Sequence, residues 1–260
     1  MISIIFLRNN VILIVQLESN YPVKLALLQR KRNSMEIEKK QARTTDTRAK
    51  LMRAMEKLCA RDGAEFVTLK AVIAEAGQKN ESVLQYHFKN RAGLVSAIHI
   101  ARMKQTQIKR QELVTKSFTT NPKPSVRDLC ELMVQPTFLL CRSDSGYRQW
   151  IKAFGLKNAS VRYPMVEEDV LEESTSIQVI AKLLKKKLRN LDIDMFENRY
   201  LTVVRVSGMM MANHAKEKSP FRGPESEIFF SILVDTLTGI FTAKVSAQTH
   251  DALSKLKLTY

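Results

Sequence analysis

The chain has 260 residues, 45% of them hydrophobic, with only eight glycines and seven prolines. That is apolar material for one large or two modest cores, in long breaker-free stretches that predict an all-α protein. A formal net charge of +16 favours a polyanionic partner, nucleic acid or an acidic membrane surface. Three widely spaced cysteines, Cys59, Cys130 and Cys141, exclude a disulfide framework or a zinc spacing and fit buried thiols in a reducing cytosol.

Residues 1–34 open with two apolar runs broken at Arg8-Asn9-Asn10, each shorter than a membrane span and without a small-residue cleavage site. The composition changes at Met35, the expected biological start. Residues 1–43 are therefore read as an N-terminal extension, a disordered arm or a start-site artefact; a membrane-touching anchor is the rival reading.

From Thr44 onward the spacing predicts a helix in which Leu51, Met55, Leu58 and Cys59 share one face, stopped by Gly63. Phe66 and Val67 are expected as buried anchors of a short connector. Thr68 caps a second helix with Leu69, Val72, Ile73 and Ala76 inward, ended by Gly77. A third short helix follows, then a longer one from Arg91 with Leu94, Val95, Ile98 and Met103 inward. This is a helix-turn-helix unit, residues 44–98. After the loop at Pro122 and Pro124, helices are predicted at Val126–Arg142, Gly146–Phe154, Pro164–Asn190, Asp194–Lys216 and Pro224–Ser246, within a helical domain of residues 99–260. In the third of these, Glu167, Glu168, Asp169, Glu172 and Glu173 precede a basic end, Lys182 to Arg189, an order that complements the helix dipole.

The charge is uneven: residues 1–120 carry about +12 and the remainder about +4, a basic module joined to a near-neutral one. The third helix lies in the basic part, in "GQKNESVLQYHFKNRAGL". Leu84 and Phe88, one turn apart, fix how it rolls on its neighbours, so its polar side chains face outward. Such a helix fits the major groove of B-DNA, where Gln and Asn pair with adenine and Lys and Arg with guanine or phosphate. The expected DNA-contacting set is Thr68, Lys79, Asn80, Ser82, Val83, Gln85, Tyr86, His87, Lys89 and Arg91. Of these, Gln85 is the base reader, while Tyr86, His87, Lys89 and Arg91 suit the phosphate backbone.

These residues carry a family resemblance. Gly63 with Thr68, Ile73-Ala74-Glu75-Ala76-Gly77, Tyr86-His87-Phe88 and Asn90-Arg91-Ala92-Gly93-Leu94 resemble the N-terminal domain of TetR-type transcriptional regulators over roughly a fifth of the chain. Two departures are visible. The turn from Gly77 to Ser82 is one residue longer than the commonest spacing, and Arg91 stands where lysine is usual. The resemblance implies a cytoplasmic, nucleoid-associated homodimer that binds a palindromic operator as a repressor and is controlled by a small-molecule effector held in a C-terminal ligand-binding and dimerisation domain. No metal and no cofactor is expected. For the interface, Gly208, Ala212 and Ala215 beside Met209, Met210 and Met211 offer a small-residue edge, although an internal core helix would read the same way. For the effector pocket the candidates are Phe138, Tyr147, Trp150 and Phe154, aromatic mass near few charges.

Other classes fit less well. His87, His99, His214 and His250 are scattered, and no HExxH, GxSxG or Walker pattern occurs, so an enzyme is not expected. An effector-independent DNA-binding or architectural protein of the same fold, and a membrane-associated basic protein, remain as alternatives.

Overall fold

The computed structural model describes Met35, residues 44–160 and residues 175–257, all-helical and without a strand among them. The expectations for residues 1–34 lie outside the described residues. The chain divides into two compact units, Met1–Leu51 and Met52–Tyr260. Helix α1 covers residues 44–62, and its predicted stripe is buried at every position: Leu51, Met55, Leu58 and Cys59 are at most 3% exposed. Gly63 ends it at φ 93°, a backbone angle that L side chains rarely adopt.

Phe66 is an exception to the expected burial, standing 74% exposed while Val67 goes inward. The turn that follows Gly63 is closed by the Phe66 N–H donating to the Gly63 carbonyl at 3.2 Å, and it lays the phenyl ring beside the glycine.

Helix α2, Leu69–Glu75, starts on Thr68, whose hydroxyl accepts from the Ala71 N–H at 3.2 Å. It ends in a complete Schellman motif: Gly77, at φ 66°, donates to Ala74 O and Gln78 donates to Ile73 O. Helix α3 is Ser82–Phe88 and α4 is Arg91–Thr120. The expected boundary at residue 98 therefore falls inside one continuous 30-residue helix. The remaining helices are α5, Val126–Ser143; α6, Ser145–Ser160; α7, Ser176–Lys187; α8, Ile193–His214; α9, Gly223–Thr242; and α10, Ala247–Lys257.

Several predicted boundaries move. The acidic first half expected for the helix at Pro164–Asn190 lies outside the described residues, while Lys185, Lys186 and Lys187 fill the last turn of α7 as the dipole favours. The last predicted helix stops at Thr242 instead of Ser246, and a further helix, α10, follows. Arg199 supplies the reason: its guanidinium donates to the carbonyls of Phe241 (2.7 Å) and Ala243 (2.8 Å), holding the chain where it turns extended at Ala243.

Small residues seat α6 on α8. A Cβ added at Gly155 would lie 2.9 Å from the Cβ of Ala212. Ala212, Ala215 and Met211 are buried. The small-residue edge expected at a dimer interface is thus used inside the chain. Among the described residues, no single helix is long and apolar enough to cross a membrane.

Candidate functional site

Two features stand out, a polar helix face and a cavity. In α3, Leu84 and Phe88 are buried, at 2% and 5% exposure. That pair turns Ser82, Gln85 and Tyr86 outward, followed by Lys89 at the C-cap, a spacing of i, i+3, i+4 and i+7 along one face. Tyr86 is 77% exposed, its ring edge-on to His87 with centroids 5.0 Å apart. Lys79 and Asn80 are exposed in the preceding turn, and the Asn80 side chain accepts from the Ser82 N–H at 3.0 Å, which starts the helix. Val83 and His87 are half-buried at the flanks. Of the residues expected to contact DNA, Lys79, Asn80, Ser82, Gln85, Tyr86 and Lys89 are exposed on α3 and the turn leading into it, and Thr68 is exposed at the start of α2.

Arg91 has other partners. Its guanidinium donates to the carbonyl oxygens of Ala64 and Val67, so it clamps the α1–α2 connector to the start of α4. The guanidinium thus fixes the connector that leads into α2, and a phosphate would have to compete with two backbone acceptors.

The α3–α4 junction is strained and tight. Lys89 sits at φ 65°, ψ −50°, the centre of a γ-turn in which Asn90 N–H donates to Phe88 O at 2.8 Å. That turn costs energy at a lysine and tends to persist only where the surroundings over-determine it, often at functional sites. Asn90 then caps α4 by accepting from Gly93 N–H at 2.9 Å. A Cβ at Gly93 would stand 2.0 Å from the Phe88 carbonyl oxygen, so only glycine allows this approach.

Helices α4 to α8 enclose a cavity of about 460 Å³, within the range of small-molecule sites. Tyr147 and Trp150 line it as expected. Phe138 and Phe154 do not: Phe138 packs on Phe221 and Phe230 beneath the Arg142 guanidinium, and Phe154, although buried, is absent from the wall. On a helix three or four residues separate one face from its repeat, and aromatic content alone does not choose the face.

Polar groups missed in the sequence lie on the same wall. Thr106, Gln107 and Arg110 of α4 line it, and the Thr106 hydroxyl shares a 2.6 Å hydrogen bond with the Tyr147 phenol. Burial raises the Tyr147 pKa to about 12, so this phenol stays protonated. The signal was legible as Met103, Thr106, Gln107, Arg110 and Val114, a helical stripe running on from Leu94 and Ile98.

A part-buried ion network joins Glu56 of α1, Arg102 of α4 and Asp144. Arg102 donates from Nε and Nη2 to the two oxygens of Glu56 (2.7 and 2.8 Å), and from Nη1 to Asp144 at 2.8 Å. Glu56 is only 2% exposed. Burial pushes its carboxyl above the ordinary range although Arg102 pulls it down. For Arg102, burial lowers the pKa but the two carboxylates more than offset it. Asp144 also accepts from the N–H groups of Gly146 (2.8 Å) and Tyr147 (3.1 Å) at the start of α6. Burial raises its pKa, but these N–H groups and Arg102 together bring the carboxyl below its usual value.

The cysteines are buried, with desolvation raising Cys130 to about 11 and Cys141 further still, both far from thiolate chemistry. No group of three or more His, Cys, Asp or Glu that could hold a metal occurs among the described residues. No family model matches the chain, and no curated protein sequence matches it.

Proposed function

We propose that the protein is a homodimeric, sequence-specific DNA-binding regulator of the TetR type, with α3 as its recognition helix and a small-molecule effector in the cavity between α4 and α8. The observation that carries this reading is the inward pinning of Leu84 and Phe88, which leaves Ser82, Gln85, Tyr86 and Lys89 outward on a short second helix of a helix-turn-helix. The family likeness implies repression.

The coupling route is physical. An effector against Tyr147 and Thr106 bears on α4 and α6, and Arg102 joins both helices to Glu56 on α1. A ligand that prefers one arrangement of this network shifts the population of DNA-competent heads by its differential affinity.

A two-fold dimer sets two recognition helices about one turn of DNA apart, roughly 34–36 Å. With the small residues of α8 used internally, α9 supports the interface better. Ile228 and Ile232 are 60% and 53% exposed one turn apart, and Gly239 lies exposed further along with no atom within 4 Å of an added Cβ. A mid-helix glycine costs about 1 kcal/mol, a cost that close approach of a second helix would explain. Ile232→Glu is expected to give monomers in sedimentation equilibrium and to weaken binding to a palindromic duplex. A dimer of unchanged stability would contradict the α9 assignment.

For the recognition helix, Gln85→Ala should cost about 1–3 kcal/mol on a selected duplex and change base preference at one position of each half-site. Lys89→Ala should weaken all duplexes alike and lower the salt slope by about one ion. A Gln85→Ala protein with unaltered affinity and preference would remove α3 as the reader.

A further inference from the structure

Among the described residues of the cavity wall, Arg110 carries a buried polar atom whose chemistry is unanswered. Its Nε is buried and has no hydrogen-bond partner. The other two nitrogens make only long contacts, to Gln107 Oε1 at 3.5 Å and Met133 O at 3.4 Å. No carboxylate pairs with it among the described residues, and the titratable groups close enough to act on it are the phenols of Tyr200 and Tyr147. Burial accordingly lowers its pKa, though not to where a guanidinium would lose its proton. A buried guanidinium without an anion is costly, and such groups are normally paired. Strain of this kind, facing a cavity, is what an absent ligand would relieve.

The surroundings define that ligand. The remaining wall is mostly apolar, with Met133, Ile151, Ile177, Phe196, Val204 and Met211 among its side chains. Its charged members are Arg110, Lys182, Lys185 and Arg205 against a single carboxylate, Glu197. Tyr147 and Tyr200, both with pKa values raised by burial, keep their phenolic protons and can donate alongside the guanidinium.

We propose that the cavity binds an amphipathic carboxylate, its head group paired with Arg110 and its apolar body filling the methionine- and isoleucine-rich space. The inference rests on the reading of this cavity as an effector site, but its test needs no DNA.

Trp150 is the chain's single tryptophan and lines the cavity, so its fluorescence reports occupancy. Full-length protein is titrated with two matched pairs, decanoate against 1-decanol and 2-naphthoate against 2-naphthol. At least one carboxylate should bind about tenfold or more tighter than its alcohol, and the pair that does so separates an aliphatic from an aromatic body. In Arg110→Met the preference should fall to within about threefold while alcohol binding persists, and the ligand-free protein should melt higher because a buried charge has been removed. Arg110→Lys keeps the charge, loses the fork, and should retain a weaker preference; it serves also if the methionine variant fails to fold. The proposal is overturned if no carboxylate binds, if wild type binds the alcohols equally well, or if both variants keep the full preference. Failure of the probes leaves duplex binding intact, and failure of duplex binding leaves the ligand preference intact.

Discussion

Replacing Arg102 with methionine is expected to cost about 3–5 kcal/mol of stability at neutral pH, because it leaves a 2%-exposed carboxylate without its cation. The loss should depend on pH with a definite sign. Burial already holds the Glu56 carboxyl above its ordinary value of 4.5, and without the guanidinium nothing of comparable strength opposes it. A carboxyl whose folded pKa is raised imposes no cost below its unfolded pKa and its full cost above the folded one. The deficit should therefore grow as pH rises through the raised value and shrink as acid is added toward 4.5. Asp144 keeps its N–H donors from Gly146 and Tyr147, which hold its carboxyl low, so the change above the ordinary carboxyl range belongs to Glu56. Adding Glu56→Met to Arg102→Met should recover most of the loss, since an apolar pair replaces a broken ionic one. Urea unfolding of the three variants between about pH 5 and 8 measures all of this. An Arg102→Met deficit that is flat across the range would mean the network contributes packing alone.

Gly93→Ala is expected to be nearly as damaging, about 3 kcal/mol, the upper end for overpacking. The obstructing atom is the Phe88 carbonyl oxygen, 2.0 Å from the new Cβ, and a backbone oxygen cannot rotate aside. Relief requires opening the turn at Lys89, which moves the end of α3 relative to α4. Duplex binding should therefore fall further than stability alone accounts for, at temperatures where the protein remains folded. Gly77→Ala is the control: its φ of 66° is strained for alanine, but nothing lies within 4 Å of the new Cβ, so a loss of about 1–2 kcal/mol is expected with α3 undisturbed. Equal effects of the two substitutions would remove the steric account of Gly93.

What was legible in the sequence follows periodicity. Leu51, Met55, Leu58 and Cys59, then Val72 and Ile73, Leu84 and Phe88, and Leu94 and Ile98 are all buried, because an apolar stripe at 3.6-residue spacing has one way to leave water. The glycines that stop α1 and α2 were legible for the same local reason. Long-range partners were not. Arg91 reads as a surface cation until the carbonyls of Ala64 and Val67, more than twenty residues away, claim it. Phe138 and Phe154 had the right composition for a pocket, yet the pocket lies where α4 to α8 leave a gap, and the faces bordering that gap are set by tertiary packing. Arg110 stands on the stripe that runs on from Leu94 and Ile98, yet a lone arginine in a basic helix reads as solvated, and only the enclosing helices bury its Nε.

The reading as a whole stands on α3 meeting a duplex, and selection of bound fragments from a random-sequence DNA pool by the full-length protein tests it most directly. At moderate salt the account predicts enrichment of a two-fold symmetric site with half-sites about ten base pairs apart, bound at least 10³-fold more tightly than random competitor, and loss of that enrichment in Gln85→Ala. A pool that emerges unenriched, with selected and random duplexes competing equally, would contradict it.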